Sequence, residues 1–358
     1  MPKKAGIILA FMLLVSALLG SSMLTRGHLW GDDFAAYIMQ AKSILAGNMD
    51  EFVDTNTFTV TQSSHQIGPA AYPWGFPLML VPVYALAGIS PLTLKLPGLL
   101  AYLTFLLVFF LLIKRRFTLP ESLLAVSLFA FNPELLRFLD NILSDVPFLF
   151  LSTLAILLAD LYSQEAQSKR RTALAAITGV GIFMAYFVRT QGLILLGSVL
   201  LFQGFRYSRQ RDQRRQLLTD SLILIAAFGV TGAISALIFP GGQISYLNLY
   251  AGFSVEMLID NIRYYSPIFG MFFEPLPGKS LFFGIFVVLF FIGLLSRIRN
   301  DLLFVIYIVL YHIVLWTWPE RQGYRFLFPM LPFFIYFAIQ GIKATLAKVS
   351  ENQKSIVQ

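Results

Sequence analysis

"FPLMLVPVYALAGIS", Phe76 to Ser90, is apolar enough to pass for a membrane helix, and whether it crosses sets the direction of everything after it. Its 15 residues would make about 22 Å of helix, against a hydrocarbon core of about 30 Å. Pro77 and Pro82 interrupt it. If it crossed, the next apolar run would travel outward and strand Lys114, Arg115 and Arg116 outside, against the bias of basic residues toward the cytoplasmic side. The stretch is therefore expected to lie half-embedded on the outer leaflet.

The rest of the chain sets the context. Of 358 residues, 57% are hydrophobic, 13% are charged and 35 are Phe. Several runs approach or exceed the roughly 18 apolar residues of a spanning helix, so an all-α polytopic membrane protein is expected. There is no glycine-rich phosphate loop and no long soluble stretch, which suggests one membrane-embedded domain over residues 1–358 without a separate soluble domain. Cysteine is absent, which excludes disulfides and thiolate chemistry. His28, His65 and His312 match no ligand spacing, so no metal site is assigned. The net charge of +8 is read as the topogenic bias of cytoplasmic loops, and no nucleic-acid partner is expected.

The start, "MPKKAGIILAFMLLVSALLG", resembles a signal peptide without a good cleavage site and is read as a retained span, with Lys3 and Lys4 inside. Further basic clusters lie at 114–116, 169–171, 206–215, 297–299 and along the tail. Placing them all inside puts 18 of the 27 Lys and Arg residues there. Ten spans follow, at about 5–25, 91–113, 119–138, 146–163, 172–188, 190–205, 217–239, 280–296, 302–317 and 326–343. Both termini are then cytoplasmic, in a multi-pass protein of the plasma (inner) membrane whose functional face is outside or periplasmic.

This topology leaves a first outer loop of about 26–90 and another of about 240–279. The first opens with "GDDFAAYIMQAKSILAG", Gly31 to Gly47. Phe34, Ile38, Ala41 and Leu45 share one helical face, so an interfacial helix is expected, capped by Asp32 or Asp33 and stopped by Gly47. A polar stretch should join it to the helix at 76–90. Tyr72, Pro73 and Trp74 read as interfacial aromatics. Arg189 is harder to place. It sits between two short apolar runs, where an arginine costs ~2.5–3.5 kcal/mol at mid-bilayer and should face a wet cavity or an anion.

These residues carry a resemblance. Adjacent acids opening an amphipathic helix in the first outer loop look like the C-type (GT-C) integral-membrane glycosyltransferases, in the branch of protein O-mannosyltransferases and the lipid A aminoarabinose transferase. "AAYPWGFPLMLVPVYALAG" is similar to that family's Tyr-Pro-Pro-Gly segment, and "NILSDVPFLFL" to its second-loop acid motif, which places Asp145 at the outer end of a span. "FVRTQGLILL" resembles its Arg-Pro-Glu-Gly-Leu segment, with Thr190-Gln191 in place of Pro-Glu. "GYRFLFPMLPFF" resembles its late Arg-Tyr-Leu-Leu-Pro motif. The matches run in the family's order from Gly31 to Phe334.

The resemblance implies a GT-C-like bundle that moves a sugar, with inversion, from a polyprenyl-phosphate donor to an acceptor hydroxyl on a glycan, lipid or protein. A carboxylate near that hydroxyl acts as general base, and the departing phosphate needs positive charge more than a proton donor. Asp32 is expected as the base, Asp33 as its positioning neighbour, and Asp145 as a third acid. Arg189, Arg321 and Arg325 are the expected phosphate clamp, with Tyr324 as a donor and Tyr72 against the isoprenoid or the sugar. Adjacent acids can also hold a divalent cation, but one pair supplies too few ligands to claim it. The plain alternatives are a helix cap for Asp32 or Asp33, an N-cap for Asp145, snorkelling for Arg189 and an internal ion pair with Glu320 for Arg321 or Arg325. The alternative class, a transporter or flippase of lipid-linked sugars, should show paired repeats and ionisable residues in mid-span.

Overall fold

The computed structural model describes residues 3–64, 68–241 and 253–357. The side chains of Lys3, Ala5, Asp32 and 351–357 lie outside that description, as do His65 and the segment 242–252 of the expected second outer loop. No strand occurs among the described residues. The helices are α1 (Lys3–Met23), α2 (Asp32–Ala46), α3 (Met49–Gln62), α4 (Gly75–Ala87), α5 (Pro91–Leu94), α6 (Leu96–Ile113), α7 (Leu119–Ala130) and α8 (Pro133–Phe138). They continue with α9 (Asp145–Gln164), α10 (Ser168–Val188), α11 (Leu193–Arg209), α12 (Arg214–Ile238), α13 (Val255–Ile268), α14 (Lys279–Arg297), α15 (Leu302–Thr317) and α16 (Leu331–Val357).

Among the described residues, 7 helical stretches are long and apolar enough to cross a membrane: Gly6–Met23, Pro91–Ile113, Asp145–Gln164, Ser168–Val188, Arg211–Ile238, Lys279–Arg297 and Tyr324–Ser350. Helices α4, α7 and α15 are apolar but shorter. The chain is thus an all-α polytopic membrane protein, and most expected spans fall on helices. The expected span 119–138 does not form as one helix. It divides at Asn132, whose extended backbone is what a following proline imposes. The Asn132 side chain then accepts from Leu135 N at 3.0 Å and caps α8.

Helices α6 and α9 form the centre of the bundle, with Phe105, Phe109 and Phe129 stacked edge and face between α6 and α7. Helices α14 and α16 approach backbone to backbone. A Cβ on Gly293 would lie 1.8 Å from Phe337 O, and one on Gly341 would lie 1.9 Å from Leu289 O. Only glycine permits that contact, the usual device by which membrane helices gain packing energy without a hydrophobic drive.

The first loop differs from expectation in three ways. Helix α2 is capped by Gly31, with no side-chain bond, so Asp32 and Asp33 are its first two residues and neither is the N-cap. Gly47 ends it at φ 72, in the left-handed conformation that suits glycine. The polar stretch expected as a joint forms the 14-residue helix α3. Two of its threonines donate back to carbonyls one turn earlier, Thr59 to Thr55 O at 3.0 Å and Thr61 to Thr57 O at 2.7 Å. Trp74 is buried, not interfacial. It stacks on Phe239 and donates through Nε1 to Pro240 O at 2.9 Å. Helix α4 docks on the end of α10, where a Cβ on Gly75 would meet Phe187 O at 2.5 Å.

Candidate active site

The start of α2, the start of α9, the turn after α10 and the turn before α16 meet at one end of the bundle. The last two are broken backbone. Thr190–Gly192 and Tyr324–Met330 are short 3-10 helices that interrupt the apolar runs and release polar groups for side-chain contacts. Irregular backbone of this kind occurs at membrane depth only where protein or a wet cavity covers it.

Four charged side chains alternate in sign there. Arg189 donates from one terminal nitrogen to Asp145 Oδ1 at 2.7 Å and to Ser144 Oγ at 3.3 Å. Arg325 donates to Asp33 Oδ2 at 2.9 Å, and the same nitrogen stands 3.9 Å from Asp145 Oδ2. Both guanidinium groups lie over the Phe326 ring, with carbon-to-centroid distances of 4.8 and 5.9 Å. A cation on an aromatic face keeps its in-plane N–H groups free for an anion. Asp145 is only 2% exposed, and its Oδ2 has no hydrogen bond from protein. Ser144, not Asp145, holds the N-cap position of α9.

A shell of polar groups orients this quartet. Tyr37 and Ser144 share a hydrogen bond of 2.8 Å. Burial pushes the Tyr37 hydroxyl well above its ordinary range, so it keeps its proton at neutral pH. Gln191 accepts from Arg189 Nε at 3.3 Å. Gln322 accepts from Arg325, and its backbone N–H donates to Tyr265 Oη at 3.0 Å. The replacement of Pro-Glu by Thr-Gln thus leaves a neutral acceptor beside Arg189.

Asp33, Asp145, Arg189 and Arg325 are therefore brought together. Asp32 stands beside Asp33 in the backbone, and its side chain lies outside the described residues. Tyr72 is one layer away, its ring 5.2 Å from that of Tyr37 and its main chain clasped by the buried Gln40 through bonds of 2.9 and 3.1 Å. Arg321 turns elsewhere. It donates to Asn261 Oδ1 at 3.1 Å, approaches Asp260 at 3.6 Å and stacks on Tyr264, all on α13. The Tyr324 hydroxyl is buried without a hydrogen-bond partner and lies toward Glu134 and Tyr102. Among the described residues, no group of three His, Cys, Asp or Glu could hold a metal ion.

An apolar groove of ≈ 740 Å³ opens between α13, α14, α15 and α16, lined by Phe283, Phe290, Ile308, Trp316 and Phe334 among others. Tyr265 forms part of its wall, and Tyr265 holds Gln322, the partner of Arg325. Tyr265 and Gln322 thus stand between the groove and Arg325.

Sequence reading passed over Tyr37, Ser144, Gln191, Gln322 and Tyr265. Ser144 and Gln191 sat inside motifs already singled out, and Gln322 lies one residue before another. It also missed a buried lysine. Lys95, with a 0% exposed side chain, donates to Asp140 Oδ1 at 2.6 Å, Gly27 O at 2.7 Å and Thr25 O at 2.8 Å. It pins the chain after α1 to the turn before α9. Hydrogen bonds from Lys95 and Thr25 outweigh the upward push of burial and hold the Asp140 carboxyl below its usual range. A lone lysine inside an apolar run was the available signal, as it was for Arg189.

This architecture, an all-α membrane bundle with broken helices converging on charged side chains, is a fold already seen in solved structures. The chain superposes on ArnT from Cupriavidus metallidurans bound to undecaprenyl phosphate with a TM-score of 0.63, at 15% identity, over 92% of this chain and 59% of that one. It superposes on the archaeal oligosaccharyltransferase AglB from Archaeoglobus fulgidus, in complex with an inhibitory peptide and a dolichol-phosphate, with a TM-score of 0.56, at 14% identity, over 97% of this chain and 51% of that one. The chain thus spans between half and three-fifths of the length of these structures. No protein-family model matches the sequence, and no curated protein matches it.

Proposed function

We propose that this chain is an inverting glycosyltransferase that takes a sugar from a polyprenyl-phosphate donor and transfers it to an acceptor hydroxyl on the outer face of the membrane. The observation that carries this reading is the pair Arg189 and Arg325. Two half-buried guanidinium groups lie over the ring of Phe326, close to an apolar groove, in a fold shared with a protein bound to undecaprenyl phosphate. The isoprenoid lies along the groove, and its phosphate takes bonds from the two arginines.

The acceptor oxygen attacks the anomeric carbon from the face opposite the phosphate. The carbon–oxygen bond to the phosphate breaks, and its electron pair stays on the phosphate oxygen, where Arg189 and Arg325 stabilise the growing charge. The acceptor proton passes to a carboxylate. Asp33 is tied to Arg325 at 2.9 Å, which suits it to holding that guanidinium in place. Asp32 is the proposed base. Arg321 is engaged on α13 and Tyr324 faces away, so neither belongs to the clamp in this arrangement.

The test is reconstitution of the purified chain in liposomes carrying a polyprenyl-phosphate sugar. Release of free polyprenyl phosphate with a glycosylated product supports the reading. Translocation of the intact donor without cleavage would make the protein a flippase and overturn it.

A further inference from the structure

A second concavity lies on the opposite face of α2 from the bundle core. Helices α2 and α3 enclose a groove of ≈ 490 Å³, within the range of about 300–1,000 Å³ usual for small-molecule sites. On α3 its floor follows the helical repeat through Phe52, Thr55, Asn56 and Thr59. Tyr72 forms the inner wall. The lining therefore offers two aromatic faces, two hydroxyls and a side-chain amide. Asn56 gives one amide hydrogen to Ala70 O at 3.0 Å, and the Thr59 hydroxyl gives its own to Thr55 O at 3.0 Å, so acceptor oxygens remain at both residues. Such a surface matches a ligand that is apolar on its ring faces and rich in hydroxyls at its edge.

Charge narrows the ligand. Lys42 and Glu51 both line the groove, one charge of each sign. A lining whose single lysine is balanced by a glutamate offers no net positive charge to hold a phosphorylated or carboxylated ligand. Position ties the groove to the charged quartet. Ala36, on its wall, is one turn along α2 from Asp33, about 4.5 Å by helical rise. Tyr72 packs on Tyr37, which bonds Ser144 beside Arg189.

We infer that this groove is a binding site for an uncharged saccharide unit of the acceptor. The inference rests on the transferase reading above and names the acceptor as a glycan. A monosaccharide seated between Phe52 and Tyr72 places the next hydroxyl of its chain toward the start of α2. The acceptor thus approaches from the loop side while the donor approaches from the groove between α13 and α16.

The experiment is saturation-transfer NMR on the full chain in lipid nanodiscs, with the methyl glycosides of glucose, galactose and mannose as probes. At least one glycoside should receive saturation. The response should weaken about tenfold in the double variant Thr55→Val with Thr59→Val, the loss expected for one or two hydrogen bonds to a polar ligand. Ala46→Phe, which fills the groove from α2, should weaken it too, and Arg325→Lys should leave it unchanged. Glucose 6-phosphate should bind more weakly than methyl glucoside. Absence of any glycoside signal, an unchanged signal in the valine variant, preference for the phosphorylated sugar, or binding of a short serine- and threonine-containing peptide in place of the glycosides each overturns the proposal. Undecaprenyl phosphate is titrated separately by thermal shift. If it fails to stabilise the chain while a glycoside binds the α2–α3 groove, the transferase reading falls and the saccharide site stands.

Discussion

Two of the buried networks of arginine and aspartate among the described residues differ in one respect. At the end of the bundle away from the candidate site, Asp160 accepts from both terminal nitrogens of Arg116, from Arg115 Nε and from Gln164, at 2.6 to 3.0 Å. Asp301 accepts from Arg116 Nε at 2.6 Å, Arg297 Nε at 2.8 Å and Tyr336 Oη at 2.7 Å. Every carboxylate oxygen there has a donor. In the site quartet, Asp145 Oδ2 has none, and Arg325, 3.9 Å from it, is shared with Asp33. A saturated network of buried charge fixes helices. An unsaturated one keeps bonding capacity that a ligand can use, at a cost to the resting protein.

The largest test of this contrast is removal of the clamp. Arg189→Ala or Arg325→Ala should lower sugar transfer by about 10²–10³-fold per folded molecule. Arg→Lys should restore only part, since lysine keeps the charge and loses the planar fork. Arg189→Ala also strands Asp145 as a buried, unpaired charge, so pairing it with Asp145→Asn should recover folding yield and not activity. Activity near the parent in both alanine variants would place the phosphate elsewhere.

Next in size is Asp32→Asn, which should cost transfer ~10²-fold or more with membrane yield unchanged, the usual scale of a lost general base. Asp33→Asn should cost less, because an asparagine oxygen can still accept from Arg325. The reverse ranking in initial-rate assays would move the base to Asp33. At the saturated network the expected outcome inverts. Arg116→Met should destabilise the fold by about 3–5 kcal/mol, seen as a lower unfolding temperature, with the rate per folded molecule unaltered. A selective loss of rate there would erase the distinction between the two networks.

The smallest perturbation tests their orientation. The chain has no native cysteine, so single cysteines at Ser64, Ser90 and Ser168 report cleanly. Ser64 and Ser90 should label with an impermeant reagent from outside, and Ser168 only after permeabilisation. Labelling of Ser90 from the cytoplasm alone would overturn the non-crossing assignment of α4.

Much of the architecture was legible because the solvent is so restrictive. Apolar runs must become helices in a bilayer, which is why α1, α6, α9, α10, α12 and α14 were predictable to within a few residues. Reading failed where local backbone chemistry overrode hydropathy. The Asn132-Pro133 break divided one expected span, and the polar stretch after Asn48 folded as the helix α3. At the site, Arg189 could be picked out because a lone cation in an apolar run demands a partner, and Arg325 through the motif it sits in. Which partner it finds is a long-range fact. The Asp33–Arg325 pair joins residues 292 positions apart, and no local pattern distinguishes it from the Arg321 pairing with α13. Tyr37 and Gln322 were invisible for the same reason.

Gly75 gives the first loop a fixed mechanical relation to the chemistry. Its missing side chain lets α4 press against the Phe187 carbonyl, two residues before Arg189. Even a methyl group there must displace either the loop or the end of α10, and the guanidinium rides on that end. The loop is therefore not an interchangeable module. A chimera that imports a foreign acceptor-binding loop onto this membrane frame will work only if the graft keeps a glycine at the junction, so that new specificity arrives without detuning the clamp.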